Sequence, residues 1–502
     1  MNLLTLDIGT TSMRGILFDS NGAMLDMEAV KTPLLIDKAE GRMEQRPEVY
    51  ERGVTAICGS IASRASVDAI SVTAFRSAPT LVNREGHALR NFIMWQDTRN
   101  SDICQRFARA EELVYSTCGA SINTVFTVTK LIWMKENEPE LYARAHKALI
   151  VPDYVIHLMT GEFATDRTYG SRTLLMDIRT LEWSREMCSL FGIGEEKLCE
   201  LRDQGAVIGR VNRAFCEATG IAEGTPVVSA GGDQQLGALG LGVMDGTTIE
   251  VNSGTGSFVI SLTDRPVLEN PSVICNVAAI PGMYTQEMNV IASASALDWL
   301  IREYFPEHWG EQPDYAAVDR IAERTPPGAN GLFVVPHFQG CGSRDWNPEA
   351  RAVFAGFSLG TRRSDMVRAL YEGIAAEIAK SVDMLPETCR AATSIAVAGG
   401  LSKSRIYNRI LCDMTGRTLV RHRNAQATAV GAFVSAAVAL GLFSDYRTAL
   451  AAARMGDEGE VFRPDPATAR LYRDIKLRTE RLYRAACPGC AAPRTTKTET
   501  EE

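Results

Sequence analysis

Two stretches of the chain carry the same pattern of apolar runs broken by small polar residues. Residues 3–19 read Leu3-Leu-Thr-Leu-Asp-Ile, then Gly9-Thr10-Thr11-Ser12, then Met13-Arg-Gly-Ile-Leu-Phe-Asp. Residues 248–260 read Thr248-Ile-Glu-Val-Asn, then Ser253-Gly254-Thr255-Gly256-Ser257, then Phe258-Val-Ile. Apolar, β-rich runs around a short turn predict a hairpin in each place. Gly9 and Gly254 stand 245 residues apart. The repetition predicts a duplicated architecture whose halves each open on a β-meander.

Between the hairpins, Met43-Glu-Gln-Arg-Pro-Glu leads into a helix over about 47–64. Asp68–Phe75 reads as a strand followed directly by Arg76, and Pro79–Gly86 as a strand and turn. Asn91–Arg99 reads as a strand ending in Trp95, Gln96, Asp97 and Arg99. Helices are expected near 100–115, 127–136, 139–147 and 152–159. Thr225-Pro-Val-Val reads as a buried strand that feeds a turn, and the glycine-spaced run 233–242 as a helix packed tightly on a neighbour. In the second half, 262–290 and 306–348 read as loop-rich, and helices are expected over 293–304 and 363–386, the latter apolar on one face. Ser394–Ala398 is a buried strand running into Gly399-Gly400, with a helix over 403–414. A small-residue helix begins at Ala425 and ends near 441. Beyond about 486 the chain is a polar tail, expected to be disordered.

Composition narrows the class. The chain has 502 residues, a prior for two to four domains. Its 45% hydrophobic and 23% charged residues are those of a soluble globular protein. A net charge of −8 offers no basic footprint for nucleic acid, and no apolar run reaches the ~18–20 residues of a membrane span. The amino-terminus lacks the basic segment of an export signal. The twelve cysteines therefore read as reduced cytosolic thiols. One C-x-x-C, Cys487-Pro-Gly-Cys490, without a second pair is weak evidence for zinc.

The chemistry centres on Ser229-Ala-Gly-Gly-Asp-Gln-Gln-Leu-Gly-Ala-Leu-Gly-Leu-Gly242. Gly231 and Gly232 bare the backbone just before Asp233, at a strand-to-helix junction. There a carboxylate either caps the helix or takes a proton from a hydroxyl, as phosphoryl transfer to an alcohol requires. Thr10, Thr11 and Ser12 either cradle phosphate with their backbone amides or form an ordinary polar turn. Asp7, at the end of the first strand, is placed to hold Mg²⁺ through water. A Walker loop is absent. Trp95, Arg76 and Arg99 at strand ends either line a polyhydroxylated ligand or are a core Trp and surface Arg. Gly399-Gly400 leaves room for a flat group such as adenine, or is a tight turn.

Taken together, these pieces resemble the FGGY carbohydrate kinases. The resemblance runs from about Leu3 to about Phe443. Its motifs stand in family order: Asp7-Ile-Gly-Thr-Thr-Ser12, Trp95-Gln-Asp-Thr-Arg99, Lys130-Leu-Ile-Trp133, Gly231-Gly-Asp-Gln-Gln235, Ser253-Gly-Thr-Gly256 and Ala398-Gly-Gly-Leu-Ser-Lys403. The resemblance implies an α/β fold of two ribonuclease-H-like domains of the actin/hexokinase superfamily, with ATP and sugar in the cleft between them. Residues 1–243 would form the sugar-binding domain and 244–455 the nucleotide domain, with a carboxy-terminal helix and tail over 456–502.

By the same resemblance Asp233 is the catalytic base. Thr10, Thr11, Ser12 and Arg14 belong to the first phosphate hairpin, Thr255 to the second. Ala294, Asp298, Gly400 and Ser404 border the nucleotide, and Asp7 with Asp233 holds Mg²⁺. Arg76, Ser77, Trp95, Asp233 and Gln234 face the sugar. Xylulose kinases carry Met-His-Gly where this chain has Phe75-Arg76-Ser77. Glycerol kinases carry Arg-Glu there, and a Tyr where this chain has Val125. Autoinducer-2 kinases share the block from Asp233 to Gly242 and keep an Arg after the strand. The expectation is an ATP-dependent kinase of a small sugar or polyol, with a polyol or ketose as substrate but not a typical xylulose kinase. It would be cytoplasmic and assemble as a homodimer or homotetramer. The competing expectations are a non-catalytic sugar-binding regulator and a chaperone- or cytoskeleton-type ATPase of the same superfold.

Overall fold

The computed structural model describes residues 1–310, 313–422, 426–455, 457 and 459–487. The first half builds a six-stranded sheet from β1 (Leu3–Ile8), β2 (Ser12–Phe18), β3 (Met24–Lys31), β4 (Ala69–Ala74), β5 (Val207–Arg210) and β6 (Pro226–Gly232), in the order β5-β6-β4-β1-β2-β3. The meander β1-β2-β3 is antiparallel, while β4 runs parallel to β1 and β6 parallel to β4. The carboxyl ends of β1, β4 and β6 therefore lie side by side. This brings Asp7, Arg76 and Asp233 to one edge although they are far apart in sequence.

Helix α1 (Pro47–Ala62) starts with Pro47 at its first position after an extended Arg46. It buries Tyr50, Val54, Ile57 and Ile61, one helical face, against this sheet. Helix α2 (Val151–Thr160) packs in the same layer through Tyr154, Val155 and Met159. The opposite face of the sheet is covered by α3 (Asp233–Gly240), joined by a helix from near the other end of the chain.

The second half repeats the design. Strands β7 (Thr248–Ser253), β8 (Ser257–Thr263), β9 (Ile274–Val277), β10 (Tyr284–Val290), β11 (Ser394–Ala398), β12 (Thr418–Arg421) and β13 (Glu460–Phe462) form a sheet ordered β9-β10-β8-β7-β11-β12-β13. Read from the meander inward, β10-β8-β7-β11-β12-β13 reproduces β3-β2-β1-β4-β6-β5, and β9 is an additional edge strand. The helices of this half include α4 (Ala294–Tyr304), α5 (Tyr315–Ala322), α6 (Arg363–Met384), α7 (Arg405–Thr415), α8 (Ala427–Ala439) and α9 (Pro466–Ala486). Helices α4, α6, α7 and α9 contribute to one large core on this sheet.

The two halves meet where α3 crosses α8. A Cβ at Gly240 would run into the Ala427 carbonyl oxygen, and one at Gly431 into that of Leu236. Glycine is what permits this backbone-to-backbone approach. Although α8 follows the second sheet in sequence, it packs on the first. Ser71 Oγ donates to the Ala432 carbonyl (3.0 Å) and Ser435 Oγ to that of Ala230 (3.1 Å). Helix α3 in turn places Ala238 against Ile260 and Leu262 of the second sheet.

Several expectations are corrected. The strand expected over Asn91–Arg99 is only Phe92–Ile93, because Asp97 turns the chain by accepting hydrogen bonds from the Met43 and Arg99 amides. The helix expected over 100–115 is broken into Ser101–Arg106, a 3₁₀ turn and Glu111–Cys118. That over 139–147 stops at Arg144, and Lys147–Ile150 is a strand. The region 262–290 is not loop-rich, since it holds β9 and β10, and 306–348 contains α5. Helix α6 is buried on almost every side, Arg368, Glu372 and Glu377 included, rather than on one face. The strand expected at Thr225–Val228 continues through both glycines to Gly232. The start of the small-residue helix at Ala425, Cys490 and the tail from 488 lie outside the described residues; the Cys487 sulfur accepts from Asn347 Nδ2 (3.3 Å).

Candidate active site

Helix α3 opens directly on Asp233, with Gly232 as its extended N-cap and no side-chain cap. Asp233 Oδ1 accepts from the amide of its own neighbour Gln234 (2.8 Å) and lies 3.7 Å from Arg76 Nε. The side chain stays 25% exposed. The carboxyl is raised above its usual range, chiefly by burial, against the pull of Arg76. The turn in front of it is pinned. Tyr169, fully buried, accepts from the Ala74 amide (2.9 Å) and donates to the Gly231 carbonyl (2.8 Å). Thr73 Oγ1 donates to the same carbonyl, and Thr168 Oγ1 accepts from the Gly232 amide (2.9 Å). Asp166 caps the short helix that carries Thr168 and Tyr169. These bonds bridge the register shift between Ser229 and Gly231 in β6.

Arg76 follows β4 and is buried. It gives Nη1 and Nη2 to Glu287 (2.9 and 3.2 Å) and Nη1 also to Gln235 (3.3 Å). Beside it Ser77 adopts a left-handed backbone (φ 65°) and donates to the Arg172 carbonyl. Gln234 Oε1 is buried without a partner. Asp7 stands opposite Arg14 across the hairpin. Its carboxyl is pushed up to about 6 by burial and by the charge of Asp233, Arg14 opposing.

The first hairpin turn closes through the Gly9 amide to the Ser12 carbonyl (2.9 Å). It is held from the side by Thr32 and Gln45, both donating to the Thr10 carbonyl. Trp95 Nε1 donates to Thr10 Oγ1 (3.1 Å), tying Trp95 to the hairpin. Thr11 is exposed at the tip. Arg14 Nη1 donates to Gln426 Oε1 just before α8 (2.9 Å). Arg99, expected beside Trp95 on the ligand, is instead occupied by Asp97 and Glu44 and stacks over Trp133.

On the second sheet, the Ala294 amide donates to the Gly254 carbonyl (3.0 Å), and Ser295 donates through both N and Oγ to the Thr255 carbonyl. The start of α4 is thereby clamped on the second hairpin. Gly399 (φ 84°) packs on the Ser253 carbonyl so closely that no Cβ fits, whereas nothing lies within 4 Å of a Cβ at Gly400. Asp298 accepts from Tyr315 (2.6 Å). Ser404 caps α7, and its hydroxyl also donates to Asp319 (2.8 Å).

The structure thus gathers Asp7, Arg76, Ser77, Asp233 and Gln234 at one set of strand ends, and Thr255, Ala294, Gly400 and Ser404 at the matching set. Sequence reasoning missed Glu287, Arg172, Asn276, Thr168 and Tyr169. An Asp166-x-Thr168 capping pattern was the legible signal for the last two. Among the described residues no group of three or more His, Cys, Asp or Glu side chains is placed to hold a metal, and no helix is long and apolar enough to cross a membrane.

Comparison with known proteins agrees with this frame. Residues 2–240 match the model of the N-terminal domain of the FGGY family of carbohydrate kinases, and residues 250–440 that of its C-terminal domain. A glycerol kinase of Thermococcus kodakarensis is 28% identical over 497 residues, covering 95% of this chain and 96% of that protein. A xylulose kinase of Bacillus subtilis is 26% identical over 482 residues, covering 94% and 95%. The crystal structure of xylulose kinase from Rhodospirillum rubrum superposes with a TM-score of 0.90 at 25% identity, covering 97% of this chain and 99% of that one. With two duplicated sheets, an acid at the paired strand ends and both domain models matched, the chain belongs to the FGGY family of carbohydrate kinases, phosphotransferases that use ATP and an alcohol acceptor.

Proposed function

We propose that this kinase phosphorylates a hydroxyl of a small polyol or ketose, with Asp233 as the general base. The observation that carries the reading is the placement of Asp233. One oxygen is engaged by the Gln234 amide near Arg76, and the side chain as a whole stays partly exposed at the strand ends. The acceptor hydroxyl would give its proton to Oδ2 as its oxygen attacks the γ-phosphate of ATP. A base raised by burial is better matched to that transfer, a contribution of ~10²–10⁴ in rate.

The backbone amides of Thr10, Thr11, Ser12 and Thr255, with Arg14, would neutralise the phosphates as charge develops. Ala294, Asp298, Gly400 and Ser404 border the adenosine in this reading, Gly400 leaving open space for it. Asp7 and Asp233 would hold Mg²⁺: both are oxygen donors, and a hard cation beside them would offset the burial and the charge of Asp233 that together raise Asp7. When bound, Mg²⁺ supplies positive charge to the phosphates. Trp95 offers an apolar face to the acceptor, and Arg76 and Gln234 offer polar contacts. Ser77 and Val125 leave room where glycerol kinases carry Glu and Tyr, which favours an acceptor larger than glycerol.

The test is ADP release with ATP and Mg²⁺ over glycerol, erythritol, xylulose, ribulose and the autoinducer-2 precursor, repeated with Asp233→Asn. The variant is expected to lose ~10²–10⁴ in kcat on the best acceptor while ATP affinity holds. A variant as active as the parent removes Asp233 from the base role.

A further inference from the structure

Arg76 comes from the first half of the chain, yet the partner that orients it comes from the second. Glu287 on β10 takes both terminal nitrogens of Arg76, at 2.9 and 3.2 Å. This two-point fork fixes the plane of the guanidinium and turns its remaining edge, Nε, toward Asp233 at 3.7 Å. Glu287 is only 2% exposed. A second buried guanidinium, Arg172, lies over the Phe126 ring and 3.9 Å from the other side of Glu287. Asn276 on β9 donates to Glu287 (3.4 Å) and accepts from Arg172 (3.4 Å). Burial and the neighbouring Arg76 lower Arg172 to about 9, while Arg76 and Arg172 outweigh burial at Glu287 and hold its carboxyl down.

The first half thus contributes two buried cations and the second half the anion between them. Apart from the second half, these guanidiniums would keep only Asp233, 3.7 Å from Arg76 Nε, as a nearby carboxylate. Asn276 sits on β9, the edge strand with no counterpart in the first sheet.

We propose that Glu287 is a positioning residue for the acceptor site. It acts through Arg76, so that the site beside Asp233 is complete only when the two halves are together. The inference rests on the reading of Asp233 and Arg76 as the acceptor side. It adds that acceptor phosphorylation depends on a carboxylate supplied by the nucleotide half, and that ATP binding does not.

The experiment uses the full chain with Glu287→Gln and Glu287→Asp, assayed on whichever of glycerol, erythritol, xylulose and ribulose the parent phosphorylates fastest. For Glu287→Gln, kcat/KM for the acceptor is expected to fall ~10²-fold, the scale for removing one member of a buried charge pair. The KM for ATP is expected to stay within about two-fold, and ADP formed per phosphorylated acceptor to rise above parity as water enters a poorly assembled site. Glu287→Asp, which keeps the charge, should recover part of the loss. An unchanged acceptor kcat/KM overturns the proposal. So does a loss shared equally by ATP and acceptor with no recovery by Asp, which is the signature of a purely structural role. If Glu287→Gln does not fold, Asn276→Ala is the second variant. A several-fold rise in acceptor KM supports the proposal and no change refutes it. Activity retained in Asp233→Asn would defeat the base assignment alone, and the Glu287 variants would still report the placement of Arg76.

Discussion

The strand ends that flank the two hairpins occupy matching places in matching sheets, yet they are furnished in opposite ways. In the first half, β4 and β6 end in Arg76, Ser77 and Asp233, and side chains from several elements converge there. In the second half, β11 ends in Gly399 and Gly400, where the backbone itself is the surface. One frame has been used once to concentrate charge and once to make room. A base and its guanidinium must be held to fractions of an ångström, whereas a flat ligand needs only that nothing protrude.

The sharpest way to break this contrast is to add one methyl on the bare side. Gly399→Ala places a Cβ on the Ser253 carbonyl at a left-handed φ of 84°. It is expected to cost ~1–3 kcal/mol in stability and to weaken ATP binding at least about ten-fold, measured by thermal melting and titration. Gly400→Ala, with nothing within 4 Å, is the control for the fold and should change stability by no more than ~0.5 kcal/mol. Equal losses of stability at the two glycines would contradict the geometry.

On the charged side, Tyr169→Phe deprives the buried Ala74 amide of its partner, a cost of ~1–3 kcal/mol. It also loosens the Gly231 carbonyl ahead of Asp233. The expected result is a kcat lower by about ten-fold with an unaltered KM for ATP; a kcat that holds would show that Thr73 and Thr168 suffice.

The last effect is a slope. Glu250 on β7 is fully buried and neither of its oxygens has a hydrogen-bond partner. Burial, then the charge of Glu287, raises it to about 8 from an ordinary 4.5. The unfolded chain gives up this proton first, so the folded protein loses stability as pH climbs from about 4.5 to about 8. Glu250→Gln should therefore melt at the same temperature as the parent below pH 4.5 and progressively higher toward pH 8. A constant difference across that range would mean the carboxyl is already ionised in the folded state.

The two hairpins, the Gly-Gly-Asp helix, the small-residue helix and the duplicated plan were legible in the chain because each depends on local pattern. Glu287 was not. In Tyr284-Thr-Gln-Glu-Met-Asn-Val290 the apolar face of Tyr284, Met288 and Val290 is interrupted by Gln286, and the stretch read as loop. It is a strand buried along nearly its whole length, polar because its partners are polar: Arg76 for Glu287 and the Ser343 hydroxyl and amide for Asn289. Arg99 misled in the reverse direction. It stood next to Trp95 in sequence, but its charge is absorbed by Asp97 and by Glu44, which arrives from a distant strand. Partners at long range decide both cases, and spacing along the chain carries no record of them.

The crossing of α3 and α8 has a consequence for how such a protein can diversify. At Gly240 and Gly431 the backbones touch, and Leu236, Leu239, Val430 and Phe433 close around them, so any larger side chain at either glycine drives the two helices apart. Those glycines are separate from Ser77 and Val125, the positions proposed to shape the acceptor wall. Changes at that wall would leave the seam of the two helices as it is.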